Sequence, residues 1–181
     1  MPRKLPRAAA TAATALAAAL MLTGVAAAAH GHEGHGVATV LMRDNCEPAS
    51  FNQAVGPHTC VGNGTTTFQQ FISQLQTLKD APEWRFDPSA LSLPVGARIV
   101  APNVGGEVHT FTEVKAFGGG CVDVLNMILG LTPVPECSNP GLFAATAAAP
   151  GGSVQTGPLA AGTHLFECLI HPWMRATVTV G

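Results

Sequence analysis

Near its C-terminus the sequence reads Cys168-Leu-Ile-His171-Pro-Trp-Met174, which sets a thiol, an imidazole and a thioether at three-residue steps. The run lies between two stretches with strand pattern, Thr163–Leu169 and Arg175–Val180, so it describes a tight loop joining two strands. Thiolate is a soft donor, imidazole a borderline one and thioether a weak one. With one more imidazole the set becomes two His, one Cys and a long-bonded Met, the ligands of a blue-copper electron-transfer site. His109, in Gly105-Gly-Glu-Val-His-Thr-Phe-Thr112, is the best source of that imidazole. It follows the strand predicted at Arg98–Pro102 and opens the next one.

The cysteine count agrees with this chemistry. Five cysteines are an odd number, and in an oxidising compartment cysteines pair. A thiolate held by copper cannot enter a disulfide, which accounts for Cys168 standing apart. Cys46 and Cys60 lie 14 residues apart and Cys121 and Cys137 lie 16 apart, all in Gly/Pro/Asn-rich sequence. Bridges between these neighbours, Cys46–Cys60 and Cys121–Cys137, are expected, each stabilising by about 3 kcal/mol. Four cysteines allow three pairings, and the sequence does not choose among them.

The oxidising compartment is implied by the first 29 residues. Arg3, Lys4 and Arg7 precede an uncharged run from Ala8 to Ala29 with a Leu16–Leu22 centre and an Ala27-Ala28-Ala29 end. That is the layout of a cleaved secretory signal peptide of bacterial type, which would leave a periplasmic or secreted protein of about 150 residues. An uncleaved anchor is the other meaning of such a run, but alanine is weakly apolar and no basic stop cluster follows. The leader holds three of the nine basic residues, leaving six against eleven acidic ones. Binding nucleic acid through its phosphates needs a basic face, and this chain has none.

The elements that must position these ligands read as an all-β domain over 37–181. Residues 30–36 (HGHEGHG) form a polar tail without apolar periodicity. Val37–Arg43 is a predicted first strand, followed by loop over Asn45–Thr65. In Thr67–Lys79, Phe68, Phe71, Ile72, Leu75 and Leu78 recur at helical spacing, which predicts one amphipathic helix inserted in the body. From Trp84 onward short β-runs alternate with Pro and Gly turns, as in a sandwich or barrel. Residues 117–150 form a Gly/Ala/Pro-rich loop insertion, with a helical turn expected at Val122–Leu131. Strand pattern resumes at Val154–Thr156.

The C-x-x-H-P-x-M-R loop, together with Phe86-Asp-Pro-Ser-Ala-Leu-Ser-Leu-Pro-Val-Gly-Ala-Arg-Ile-Val100, Asn103 and His109, resembles the small blue-copper cupredoxins. The loop is most similar to that of amicyanin, with plastocyanin and pseudoazurin more distant. The resemblance covers residues 84–115 and 153–181; the insertions at about 44–80 and 117–150 fall outside it. It implies a Greek-key β-sandwich of about eight strands with one type 1 copper per chain at one end. His109, Cys168 and His171 match its equatorial ligands and Met174 its axial ligand. In many relatives an Asn after the first His ties the ligand loops together. Here that residue is Thr110, whose hydroxyl is the group left to make the link.

The expected function is one-electron transfer by an exported type 1 copper protein, and no enzyme activity is expected: the residues beside Cys168 are Glu167 and Leu169, so the His relay of multicopper enzymes is missing. No oxyanion motif supports a Cys–His hydrolase either. The expected partners are redox proteins docking near His171, with no substrate and no nucleic acid, and the chain is expected to be a monomer. The alternative is periplasmic copper binding and delivery. It draws on a second feature: cleavage after Ala29 would leave His30-Gly31-His32 with a free amine, a square-planar donor set for Cu(II) or Ni(II), with His35 close by. The simpler account of that segment is a solvated tail. His164 is expected to be a packed core histidine rather than a ligand, His58 a solvated loop residue, and Trp173 either core or part of the surface around His171.

Overall fold

The computed structural model describes residues 36–181. The expected leader and the tail histidines His30, His32 and His35 lie outside the described residues. The chain lays down β1 (Val37–Thr39), β2 (Leu41–Arg43), α1 (Pro48–Ala54), α2 (Phe68–Leu78), β3 (Arg85–Asp87), β4 (Ala90–Leu93), β5 (Arg98–Pro102), β6 (His109–Thr110), β7 (Thr112–Val114), α3 (Asp123–Leu129), α4 (Pro140–Thr146), β8 (Ala147–Ala148), β9 (Ser153–Gln155), β10 (Gly162–Glu167) and β11 (Arg175–Val180).

Two sheets carry the body. One has the order β1-β5-β9 and the other β4-β11-β10-β7. Side chains alternate across a strand, so β5 turns Ile99 and Ala101 inward and β11 turns Ala176, Val178 and Val180 inward. These residues share one core with Phe86, Phe111 and Phe166, which makes the fold a β-sandwich. Phe111 stacks on Phe166 at 4.4 Å between ring centres and meets Phe86 edge-on at 5.0 Å. Each such buried ring contributes about 1.5–3 kcal/mol.

The predicted strand Val37–Arg43 is divided in two. β1 runs parallel to β5, whereas β2 runs antiparallel to β3. The break falls at Val40, which is fully buried and donates its N–H to the Val100 carbonyl at 3.0 Å. A strand that changes partners must bend, and alternation alone does not show where.

The first insertion holds two helices rather than one. The predicted helix is α2, capped by Thr67 and Gln70, whose side chains satisfy each other's backbone amides, and ended by Lys79 in the left-handed conformation. The unexpected one is α1, inside the stretch expected to be loop. Its first amides, Ala49 and Ser50, donate to the Glu47 carboxylate at 3.0 and 2.7 Å, and Pro48 pre-sets the first turn. Seven residues give two turns, too few for periodicity to register. Phe51 of α1 and Phe71 of α2 meet Trp84 at 5.8 and 4.7 Å, fastening the insertion to the body.

The second insertion, expected to be loop, is also structured. It contains α3 where a helical turn was predicted, a 3₁₀ turn at Pro135–Ser138, and α4, capped by Asn139 accepting from the Leu142 amide. It ends in β8, which pairs with β6. Disulfides join Cys46 to Cys60 and Cys121 to Cys137, one in each insertion, and Cys168 is free and buried. Among the described residues no helix is long and apolar enough to cross a membrane.

Candidate metal centre

β10 ends at Glu167 and the next seven residues form the predicted loop. Its two ends are locked together. The Cys168 amide donates to the Met174 carbonyl at 3.0 Å, and the Met174 amide donates to the His171 carbonyl at 2.9 Å. This tight turn aims the Cys168 and His171 side chains the same way. β6 brings His109 to the same place from the opposite side.

The result is a closed triangle of donor atoms. Cys168 Sγ lies 4.0 Å from His109 Nδ1 and 3.8 Å from His171 Nδ1, and the two nitrogens are 3.2 Å apart. Nitrogen and sulfur donors stand about 2.0 and 2.3 Å from a bound ion, so three of them around one ion are separated by about 3–4 Å. The spacing therefore fits a single metal ion, and a thiolate with two imidazoles is a donor set suited to copper. All three residues are buried, His171 being 3% exposed. Met174 is fully buried in the adjoining core, its backbone closing the loop.

The sequence did not reveal what orients His109. Asp44, 65 residues away, places Oδ2 2.8 Å from His109 Nε2. Its side chain is 1% exposed, and it also accepts from the amides of Gly106 at 2.9 Å and Glu107 at 3.0 Å. Gly105 is required here because a Cβ would collide with the Asp44 carboxylate. Burial alone would raise the Asp44 pKa, but the His109 and amide hydrogen bonds outweigh it and hold the pKa at about 2. A carboxylate that stays ionised can only accept. Nε2 must then carry the proton, and Nδ1 is the nitrogen turned to the sulfur.

The charges around the triangle reinforce one another. Burial disfavours charge on His109, yet its bonds to Asp44 and Cys168 raise its pKa to about 9. Burial likewise opposes a Cys168 thiolate, but hydrogen bonds and charge from both histidines pull its pKa well below the thiol range. The sulfur is thus prepared as a thiolate, the form that binds metal. It also receives the Thr110 amide at 3.4 Å.

Thr110 makes the link expected of it. Its hydroxyl accepts the Leu169 amide at 2.7 Å and the Thr112 hydroxyl at 3.1 Å. Asn103 supports the His109 strand from below, donating to the carbonyls of Glu107 at 2.7 Å and Ala148 at 2.9 Å.

His171 is held differently. Its ring meets Trp173 edge-on at 5.4 Å and Phe71 at 6.4 Å. Trp173, expected either in the core or near His171, covers that imidazole while donating Nε1–H to the Ala81 carbonyl at 3.2 Å. Glu107 lies behind the ring, its Oε2 3.6 Å from His171 Nε2 and 2.6 Å from Trp84 Nε1. Burial raises the Glu107 pKa. Glu107 was visible in the sequence as a neighbour of His109, but nothing local marked it as facing His171.

The remaining histidines stay apart from the triangle. His58 is exposed in its loop. His164 corrects the expectation of a core residue. It is half-buried near the start of β10, with Nδ1 2.6 Å from Glu113 Oε1 and Nε2 2.9 Å from the Ala160 carbonyl. A carboxylate and a carbonyl there give the ring two polar partners, which an apolar core would not.

No protein-family model and no curated protein matches the chain. Several solved structures do. A purple cupredoxin from Nitrosopumilus maritimus is 15% identical, with a TM-score of 0.39 over 80% of this chain and 99% of the other. Oxidised plastocyanin from Dryopteris crassirhizoma is 16% identical, with a TM-score of 0.40 over 80% of this chain and 100% of the other. The reduced state of an amicyanin mutant is 19% identical, with a TM-score of 0.35 over 54% of this chain and 73% of the other.

Proposed function

We propose that this chain is an exported, monomeric protein of cupredoxin type that holds one type 1 copper ion and passes single electrons to and from redox proteins, with no catalysis of its own. The observation that carries this reading is the buried meeting of His109 Nδ1, His171 Nδ1 and Cys168 Sγ within 4.0 Å. Copper bound to such donors takes and gives one electron. His109, Cys168 and His171 would be its main ligands, with Met174 the weak fourth.

The chain's own residues supply rigidity and seclusion. Asp44 fixes the ring of His109, and Thr110 fastens β6 to the loop through the Leu169 amide. A site whose donors are already in place changes little when the charge of the ion changes, which suits rapid transfer. Phe71 and Trp173 keep water from His171. A partner docking at this end would meet those rings before the imidazole. The same seclusion opposes ready release of the metal, so a carrier is favoured over a delivery protein.

The test is the visible and electron paramagnetic resonance spectrum of the protein with one equivalent of Cu(II), beside Cys168→Ser. An intense thiolate-to-copper band that disappears in the variant is the expected outcome. A pale spectrum identical in both proteins would overturn the reading. Rapid loss of copper to a chelator, with slow electron self-exchange, would favour delivery instead.

A further inference from the structure

Each disulfide holds one arm of the ligand triangle. The Cys46 amide donates to Asp44 Oδ1 at 3.1 Å, and Asp44 orients His109. The Cys121 amide donates to the carbonyl of Leu169, one residue past Cys168, at 2.5 Å. Leu169 is fully buried, and its own amide donates to the Thr110 hydroxyl at 2.7 Å. It is thus gripped twice, once from β6 and once from the second insertion. Gly120 permits the second grip, since a Cβ there would strike the Leu169 carbonyl. The two bridges differ in their reach from solvent. Cys46 and Cys60 are 1% and 0% exposed. Cys121 and Cys137 are only half-buried, at the edge of a small apolar cluster that includes Leu169. A thiolate must approach a disulfide sulfur to exchange with it, so access decides which bridge reacts.

We infer that Cys121–Cys137 is a site of thiol–disulfide exchange with a dithiol, and that opening it releases the ligand loop at Leu169. One thiolate of the dithiol attacks a bridge sulfur, breaking the S–S bond and forming a mixed disulfide. Its second thiolate displaces the remaining cysteine, so the dithiol leaves as a disulfide. Two electrons pass to the bridge, and two protons complete Cys121 and Cys137 as thiols. Nothing covalent then ties Cys121 to the turn at Pro135–Ser138. Gly118 stays held by Glu167 and Arg175, and Gly119 stays paired with Thr132 and Val134. The release is therefore local to Cys121 and its contact with Leu169, and the two main sheets keep their pairing. The exchange itself needs no metal; its consequence for a bound ion rests on the copper reading.

The experiment treats the full metal-free chain with dithiothreitol, traps the thiols by alkylation at set times and maps them by mass. Cys121 and Cys137 should become labelled at least about tenfold faster than Cys46 and Cys60. Amide hydrogen exchange is then followed on the protein with only the second bridge open. It should quicken at least about tenfold at Cys121 and Leu169, and stay unchanged at Val40 and Ile99, whose amides are bound within the body. Because no metal is present, failure here is told apart from failure of copper binding. Three results would overturn the inference. The two bridges could open together, Leu169 could exchange no faster once the second bridge is open, or Val40 and Ile99 could quicken as much as Leu169. The last would mean that the bridge only stabilises the whole fold.

Discussion

His109 and His171 present the same ring nitrogen to the same sulfur, yet different forces hold them. His109 is fixed by polar contacts: a 2.8 Å bond to Asp44, which is itself clamped by three backbone amides, those of Cys46, Gly106 and Glu107. His171 has no comparable hydrogen bond at Nε2. Glu107 stands off at 3.6 Å, and the ring is confined by Phe71 and Trp173. Hydrogen bonds set direction, whereas packing sets position and excludes water. One side of the site is therefore built to orient a ligand, and the other to cover one.

Substitutions can break that contrast. Asp44→Ala should have the largest effect, because it leaves the Nε2–H of His109 buried and unpaired. Copper affinity should fall about 10–100-fold in competition with a chelator, and stability in urea should fall by about 3 kcal/mol. Phe71→Ala should cost a similar 3–5 kcal/mol of stability through its cavity. Its copper affinity should change far less, while electron self-exchange should quicken as His171 becomes exposed. If Phe71→Ala weakened copper as much as Asp44→Ala, the division between orienting and covering sides would fail.

Smaller changes sharpen the picture. Thr110→Val keeps the shape but leaves the Leu169 amide without its acceptor, at a cost of about 1–3 kcal/mol. A broadened copper resonance spectrum should accompany it, since the ligand loops are no longer tied together. His164→Gln should matter least and should spare the copper spectrum. The Ala160 carbonyl and Glu113 raise the His164 pKa. The contribution of the charged ring is thus fully present below the unfolded pKa of about 6.5 and is lost as pH rises through the raised folded value. For a pair open to solvent on the Glu113 side this is at most about 1 kcal/mol. Urea titrations of both proteins across that range should converge at high pH.

The same contrast explains what the sequence disclosed. The His171 side was legible because its parts are local: Cys168, His171 and Met174 lie on one loop, and Thr67, Gln70 and the apolar spacing of α2 declare a helix. Asp44 was not legible. It lies 65 residues from His109 in a stretch without periodicity, and only the Gly105-Gly106 turn folding back on it makes the bond. Glu107 shows the intermediate case, being visible beside His109 but used against Trp84 and His171. The bend at Val40 and the two-turn helices α1 and α4 were missed for a related reason. Each depends on a partner or a cap rather than on a repeating pattern.

The most direct test of the central claim is X-ray absorption at the copper edge of the protein carrying one equivalent of copper. One sulfur and two imidazole nitrogens bound directly to the ion are expected. A shell of nitrogen and oxygen alone, without sulfur, would place copper away from Cys168 and contradict the account.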